Sequence, residues 1–402
     1  MTRMQRIRRI RSDLLALALA SVAALLGVIG TGGAAAVEPT ARMRGMWIAS
    51  VHNTDWPAPS DDSVHEQREH YRRLLNEAAD SGLNSVFVQV RPTADAFWPS
   101  PHEPWSQWLT GEQGRDPGYD PLRFLVEETH RRGMQFHAWF NPFRISTGDD
   151  PAQLVPEHPA RQHPEWTFRY GGELYYDPGV PQVREFVTDA ITHAVQNYDV
   201  DGVHLDDYFY PYPVEGAELP DRDTFARYGD GFDSIEQWRR SNVDRFVADL
   251  DARVHRSAPE AEFGVSPFGI WRNADSDPAG SPTSGMESYS DQYADTRKWV
   301  RRGWVDYIAP QLYWPLGHAD ADYAALVPWW SRTVSGTDVD LYIGQAAHRV
   351  GDPGWTDPGE LSAHLTLNRD HPPVSGDVFF SATSLTTNAR EAFERLVAEH
   401  YR

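Results

Sequence analysis

From residue 44 onward, short apolar runs alternate with segments whose apolar residues recur every three or four positions. The runs are RGMWIAS (44–50), SVFVQVRP (85–92), MQFHAWFNP (134–142), DGVHLDDY (201–208), EFGVSPFG (262–269), VDYIAPQLYW (305–314), DLYIGQAAH (340–348) and GDVFFSATS (376–384). Each has strand length and is largely apolar, as expected of strands buried on both faces. The intervening spacing predicts helices over 64–81, 121–132, 183–197, 235–255, 290–302, 323–331 and 360–368, with a last one over 388–400. Gly82 and Gly133 stand where two of them should stop. Eight strand–helix pairs in strict alternation predict an α/β fold: a parallel sheet closed into a (β/α)8 TIM barrel with long β→α loops. The alternative is an open doubly wound sheet, but no Gly-rich phosphate loop follows the first strand. With no internal repeat and no linker, one domain is expected over residues 37–402.

In such a barrel the chemistry collects at the C-terminal strand ends. Those ends are polar here: Arg91, Asn141, Asp206 with Asp207, Ser266, Gln311 and Gln345. Strand alternation puts Gln89 and Arg91 toward the barrel axis, and His137, Trp139 and Asn141 on one face of the third strand. It likewise groups Gly202, His204 and Asp206, with Val203 and Leu205 outward, and lines up Tyr307, Ala309, Gln311 and Tyr313. Polar faces converging from four strands predict a cleft. His137 and His204 lie deeper, where bracing the barrel by hydrogen bonds is the competing role.

The adjacent acids Asp206 and Asp207 are the strongest chemical signal. Like charges that close repel, so the pair costs free energy unless something is gained from it. Glycoside hydrolysis needs a proton donor for the leaving oxygen and a second carboxylate, and neighbouring acids push each other's pKa apart. Substrate-assisted cleavage is a second route, in which one Asp orients an N-acetyl group and the other is acid/base. A metal site is the rival, yet no HxH or HExxH spacing supports it, so neither metal nor cofactor is expected. Helix capping would account for one Asp of the pair. Asp95, Glu103, Asp177 and Glu287 are spare candidates for a second carboxylate.

The loops suit a sugar. Trp98, Trp105 and Trp108 follow the second strand. HPEWTFRYGGELYYDPG (163–179) predicts a hairpin turning at Gly171-Gly172 and offers Trp166, Tyr170, Tyr175 and Tyr176. Tyr208, Tyr210, Tyr212, Trp271, Tyr313 and Trp314 sit past other strand ends. Aromatic faces beside polar groups match pyranose rings, although most of these side chains should simply pack the loops.

Composition narrows the setting. Arg3, Arg6, Arg8, Arg9 and Arg11 precede an apolar run from Leu14 to Gly30 and the small-residue stretch TGGAAA, which together predict a secretory signal over 1–36. There is no cysteine, hence no disulfide, thiolate nucleophile, cysteine zinc site or acylated N-terminal cysteine. A secreted or wall-associated protein with no stable membrane insertion is expected. The formal charge is −21, and because the first 36 residues hold five Arg and one Asp, the remainder stands at about −25. Such a body repels nucleic acid and anionic membrane. The single lysine, Lys298, lies in a predicted helix, so Schiff-base chemistry has no suitable amine.

RGMWIAS, VFVQVRPTADAFWPSPHEPWSQWLTG, GYDPL, HRRGMQFHAWFNPFR, DGVHLDDYFYP, GVSPFGIWRN and YIAPQLYW together resemble the glycosyl-hydrolase-like family 10. The ordered match runs from Arg44 to about His348. The resemblance implies a (β/α)8 glycosidase fold and a relation to a peptidoglycan glycosidase that cuts glycan strands stripped of their stem peptides. Asp206 and Asp207 stand where that pattern places its acidic pair, with Arg91, Asn141 and Gln311 in its other strand-end motifs. The expectation is an exported glycoside hydrolase with Asp206 and Asp207 as the catalytic acids. Arg91, His137, Asn141, His204, Tyr208, Ser266, Gln311, Tyr313 and Trp314 would hold the polysaccharide. A non-catalytic wall-glycan binding protein on the same barrel is the alternative.

Overall fold

A computed structural model describes residues 42–58 and 62–401. The expected signal segment lies outside the described residues. All eight expected strands form. In chain order the molecule has β1 (Met43–Ile48), β2 (Ser85–Arg91), β3 (Gln135–Phe140), β4 (Arg144–Ser146), β5 (Thr167–Tyr170), β6 (Glu173–Tyr176), β7 (Gly202–Leu205), β8 (Glu262–Val265), β9 (Tyr307–Ile308), β10 (Asp340–Gln345) and β11 (Val374–Phe379). Strands β1, β2, β3, β7, β8, β9, β10 and β11 pair in parallel in that order, and β11 returns to β1 to close the barrel. The fold is a (β/α)8 barrel. Among the described residues no helix is long and apolar enough to cross a membrane.

β4, β5 and β6 make a small antiparallel sheet inserted after β3. Its hairpin turns at Gly171 and Gly172, whose φ of +61° and +83° suit a two-residue turn with both residues left-handed. The helices stand close to their expected bounds, for example Val64–Asp80 and Pro121–His130. The helix expected over 290–302 breaks in two, Ser288–Asp291 and Thr296–Arg302. Tyr293 takes φ +56° between them, and Asp295 caps the second piece through the Lys298 amide at 3.3 Å.

Two apolar clusters result. The larger fills the layer between strands and helices and includes Val86, Val88, Val203 and Leu205. The smaller lies inside the barrel: Met43, Trp47, Phe87, Trp139, Tyr307, Tyr342 and Val378 among others. These large interior side chains fit because glycines face them on neighbouring strands. A Cβ on Gly202 would fall 2.2 Å from His137 Nδ1, and one on Gly264 2.2 Å from the Tyr307 ring. Gly264→Ala is therefore expected to cost about 1–3 kcal/mol through overpacking. A urea midpoint equal to that of the unchanged protein would contradict the interior position of Tyr307.

A hydrogen-bonded floor crosses the barrel. Trp47 Nε1 donates to His204 Nε2 at 3.1 Å, which makes that nitrogen an acceptor and leaves the imidazole proton on Nδ1. His204 Nδ1 then donates to the Tyr307 hydroxyl at 3.0 Å, and Tyr307 donates to His137 Nδ1 at 3.2 Å. Burial lowers both histidines, His137 to about 4 and His204 well below its ordinary value, so both stay neutral. Their role is the bracing one.

Candidate active site

The strand β7 ends at Leu205, and the alternation Gly202–His204–Asp206 carries Asp206 onto the barrel axis one residue later. Asp207 follows in the turn, and the turn brings it back into the same cavity. That cavity, about 260 Å³, is lined by Trp47, Gln89, Trp139, Arg144, Asp206, Asp207, Tyr208, Tyr212, Ser266, Gln311, Tyr313 and Phe380, with a few smaller residues. Its lining comes from the C-terminal ends of the barrel strands and the loops beyond them. A larger depression of about 960 Å³ lies outside the barrel mouth beside Trp98, Trp105 and Arg115. No strand end reaches it, and its Glu103 is spent on Arg91.

Asp206 is held by three N–H donors: Asn141 Nδ2 at 2.5 Å and Trp139 Nε1 at 3.2 Å on Oδ2, and the Tyr208 amide at 3.2 Å on Oδ1. Asn141 is itself fixed. The Ser50 and Val51 amides donate to Gln89 Oε1 at 2.8 and 2.9 Å, and Gln89 Nε2 donates to Asn141 Oδ1 at 2.6 Å. This amide relay leaves Asn141 only its NH2 to offer Asp206. Asp207 accepts a short hydrogen bond from the Tyr212 hydroxyl, with Gln292 Nε2 on its carbonyl at 3.0 Å. Gln311 lines the same cavity, and its Nε2 donates to the Ser266 carbonyl at 2.9 Å.

Burial, then the charge of Asp207, pushes Asp206 up to about 7, against the pull of Arg144. Asp207 is also raised, chiefly by burial, with the Tyr212 hydrogen bond opposing. Two buried acids in one cavity therefore retain a proton between them far above the usual carboxylate range. Such a pair can give a proton and present a negative charge together.

The expected site residues separate into three sets. Asp206, Asp207, Tyr208, Ser266, Gln311 and Tyr313 line the cleft. Asn141, His137 and His204 stand behind or beneath it: Asn141 orients Asp206, and the histidines belong to the floor. Arg91 and Trp314 do not line the cleft. β2 bulges between Gln89 and Arg91, so Arg91 pairs with outward-facing Phe140 instead of continuing the axial face. Its guanidinium forks onto Glu103 and also reaches the Asn141 and Pro142 carbonyls. Trp314, the neighbour of Tyr313, packs edge-on to Phe268 at 5.4 Å.

None of the spare acids lines the cleft. Asp95 accepts from Thr93 at 3.1 Å, Glu103 closes on Arg91, Asp177 accepts from Thr224 at 2.6 Å, and Glu287 accepts from the Asn273 amide at 2.9 Å. Most loop aromatics pack the loops: Trp98 donates to His193 and Trp108 to Thr93, and Trp166 stacks on His163. Sequence reasoning missed Arg144, Trp47 and Phe380. Trp47 carried a usable signal, since alternation from Gly45 places it inward; Arg144 carried none.

Among the described residues, Asp251, His255 and Asp306 have metal-ligand spacing, at the N-terminal end of the barrel. His255 sits between the two carboxylates, at 3.0 and 2.9 Å, and their hydrogen bonds raise it to about 10. With its proton the imidazole closes an ion triad with the two carboxylates.

A closed parallel barrel with two buried acids in one cavity at its mouth fits a glycoside hydrolase. The Glycosyl hydrolase-like 10 family model matches residues 42–359, and the chain belongs to that family. Glycosyl hydrolase YngK of Bacillus subtilis (strain 168) is 49% identical over 352 residues, 86% of this chain and 69% of that protein. Glycosyl hydrolase DigH of Escherichia coli (strain K12) is 40% identical over 362 residues, covering 84% and 82%. Among solved structures, the PgaB (BpsB) glycoside hydrolase domain from Bordetella bronchiseptica shares the fold, with TM-score 0.58 at 12% identity over 90% of this chain and 99% of that one.

Proposed function

We propose that this protein is an exported hydrolase of peptidoglycan glycan strands, acting on strands whose stem peptides have been removed. The observation that carries the reading is the acid pair in one cavity. Asp206 and Asp207 jointly supply the proton for the leaving oxygen and the carboxylate that stabilises or captures the anomeric centre. Tyr208, Tyr212, Tyr313, Trp47 and Trp139 offer ring faces in the same cavity as Ser266 and Gln311. The basic-then-apolar N-terminal segment supports export, and the cell wall is then the polymer within reach.

Purified protein incubated with intact and peptide-stripped glycan strands is expected to release new reducing ends from the stripped strands, with products identified by mass spectrometry. Binding of the strands without any product would replace hydrolysis by the wall-glycan binder.

A further inference from the structure

The cleft contains a cation, Arg144, that acts on Asp206 through space but forms no ion pair with any described acid. Among the described residues three arginines are buried: Arg91, Arg144 and Arg239. Two are forked onto carboxylates, Arg91 onto Glu103 and Arg239 onto Asp221. Arg144 pairs with no described Asp or Glu. Its Nε and Nη2 share the Pro92 carbonyl at long range, 3.4 and 3.3 Å, and its guanidinium lies over the Tyr208 ring at 4.9 Å. Nη1 has no acceptor among the described residues. A guanidinium held so weakly keeps donors free, and its planar fork matches a carboxylate that no described residue supplies.

The backbone holds it there. Arg144 opens β4 opposite Tyr175 of β6, so the inserted sheet delivers the side chain to the mouth of the barrel. It is the cationic residue of the cleft lining, and it shares that lining with Asp206, Asp207 and Tyr208. An arginine placed only to offset the two acids would be expected to fork onto one of them, and it does not.

We propose that Arg144 forms an anion subsite that receives a carboxylate borne by a sugar of the substrate. The inference rests on the reading of the protein as a glycan-strand hydrolase and names what that site selects. In a peptide-stripped strand the muramic acid residues carry a free lactyl carboxylate. In an intact strand that group is tied up as an amide, without the charge that a guanidinium fork prefers. Neutral polysaccharides lack the group altogether. Arg144 thus makes the charged, stripped strand the favoured ligand in an acidic protein that otherwise repels anions.

The test compares peptide-stripped strands with the same strands after methyl esterification of their carboxylates. The unchanged protein is expected to prefer the free acid by about 10- to 100-fold in kcat/KM, the scale of a charge-assisted hydrogen bond. Arg144→Met should handle both strands alike, and Arg144→Lys should keep part of the preference, with the loss mainly in KM. Equilibrium binding of both strands, measured by calorimetry, separates the two readings. A binding preference for the free acid that Arg144→Met abolishes sustains the subsite even if no strand is cleaved. Equal handling of both strands by the unchanged protein overturns it, as does a preference that persists in Arg144→Met. If that variant does not fold, an undiminished preference in Arg144→Lys is the overturning result.

Discussion

Replacing either acid, as Asp206→Asn or Asp207→Asn, is expected to lower kcat on glycan strands by about 10²–10⁴-fold while leaving the barrel folded. Asparagine preserves volume and can still bond Asn141, Trp139 or Tyr212, so circular dichroism and the urea midpoint should change little. The electrostatic consequence is more specific. Asp206 is raised to about 7 by burial and by the charge of Asp207. With Asp207→Asn the repulsion is gone, and the Asp206 carboxyl should titrate below that value by carbon NMR.

On the proposed mechanism, activity in the unchanged protein needs one proton on the pair and one negative charge. Raising the pH through about 7 strips the shared proton, so the rate falls on the alkaline side. Lowering the pH adds a second proton and removes the charge, so the rate falls there too and the profile is bell-shaped. Full turnover by both Asn variants would remove these acids from the mechanism. A profile flat from pH 5 to 9 would remove the shared proton.

The second large effect lies outside the cleft. Arg91 and Glu103 are both fully buried and bound to each other through two nitrogens and two oxygens. Glu103→Ala would leave the guanidinium in the protein interior without its counter-charge, at an expected cost of about 3–5 kcal/mol in urea unfolding. Arg91→Met with Glu103→Leu should recover most of that loss, because it removes both desolvated charges at once. The recovery stays incomplete, since Arg91 also donates to the Asn141 and Pro142 carbonyls and so steadies the segment that aims Asn141 at Asp206. A cost below about 1 kcal/mol for Glu103→Ala would mean that water reaches the pair.

By itself the sequence determined the eight strands, their order and the inward direction of Asp206. The physical reason is periodicity: alternation along one strand sorts side chains between axis and helix layer whatever the strand packs against. The Gly171-Gly172 turn was legible in the same way, since two successive left-handed residues favour glycine. Only the tertiary structure decided the rest. A bulge after Gln89 turned Arg91 off the axis that plain alternation assigned to it. The relay from Gln89 through Asn141 to Asp206 joins residues 52 and 65 positions apart, which meet because β2, β3 and β7 lie side by side in the sheet. Arg144 enters the cleft from an inserted sheet whose docking no local pattern encodes. Most of the loop aromatics, legible as sugar platforms from composition, went into packing the loops, because burying a ring against its neighbours stabilises a long loop whether or not a ligand is present.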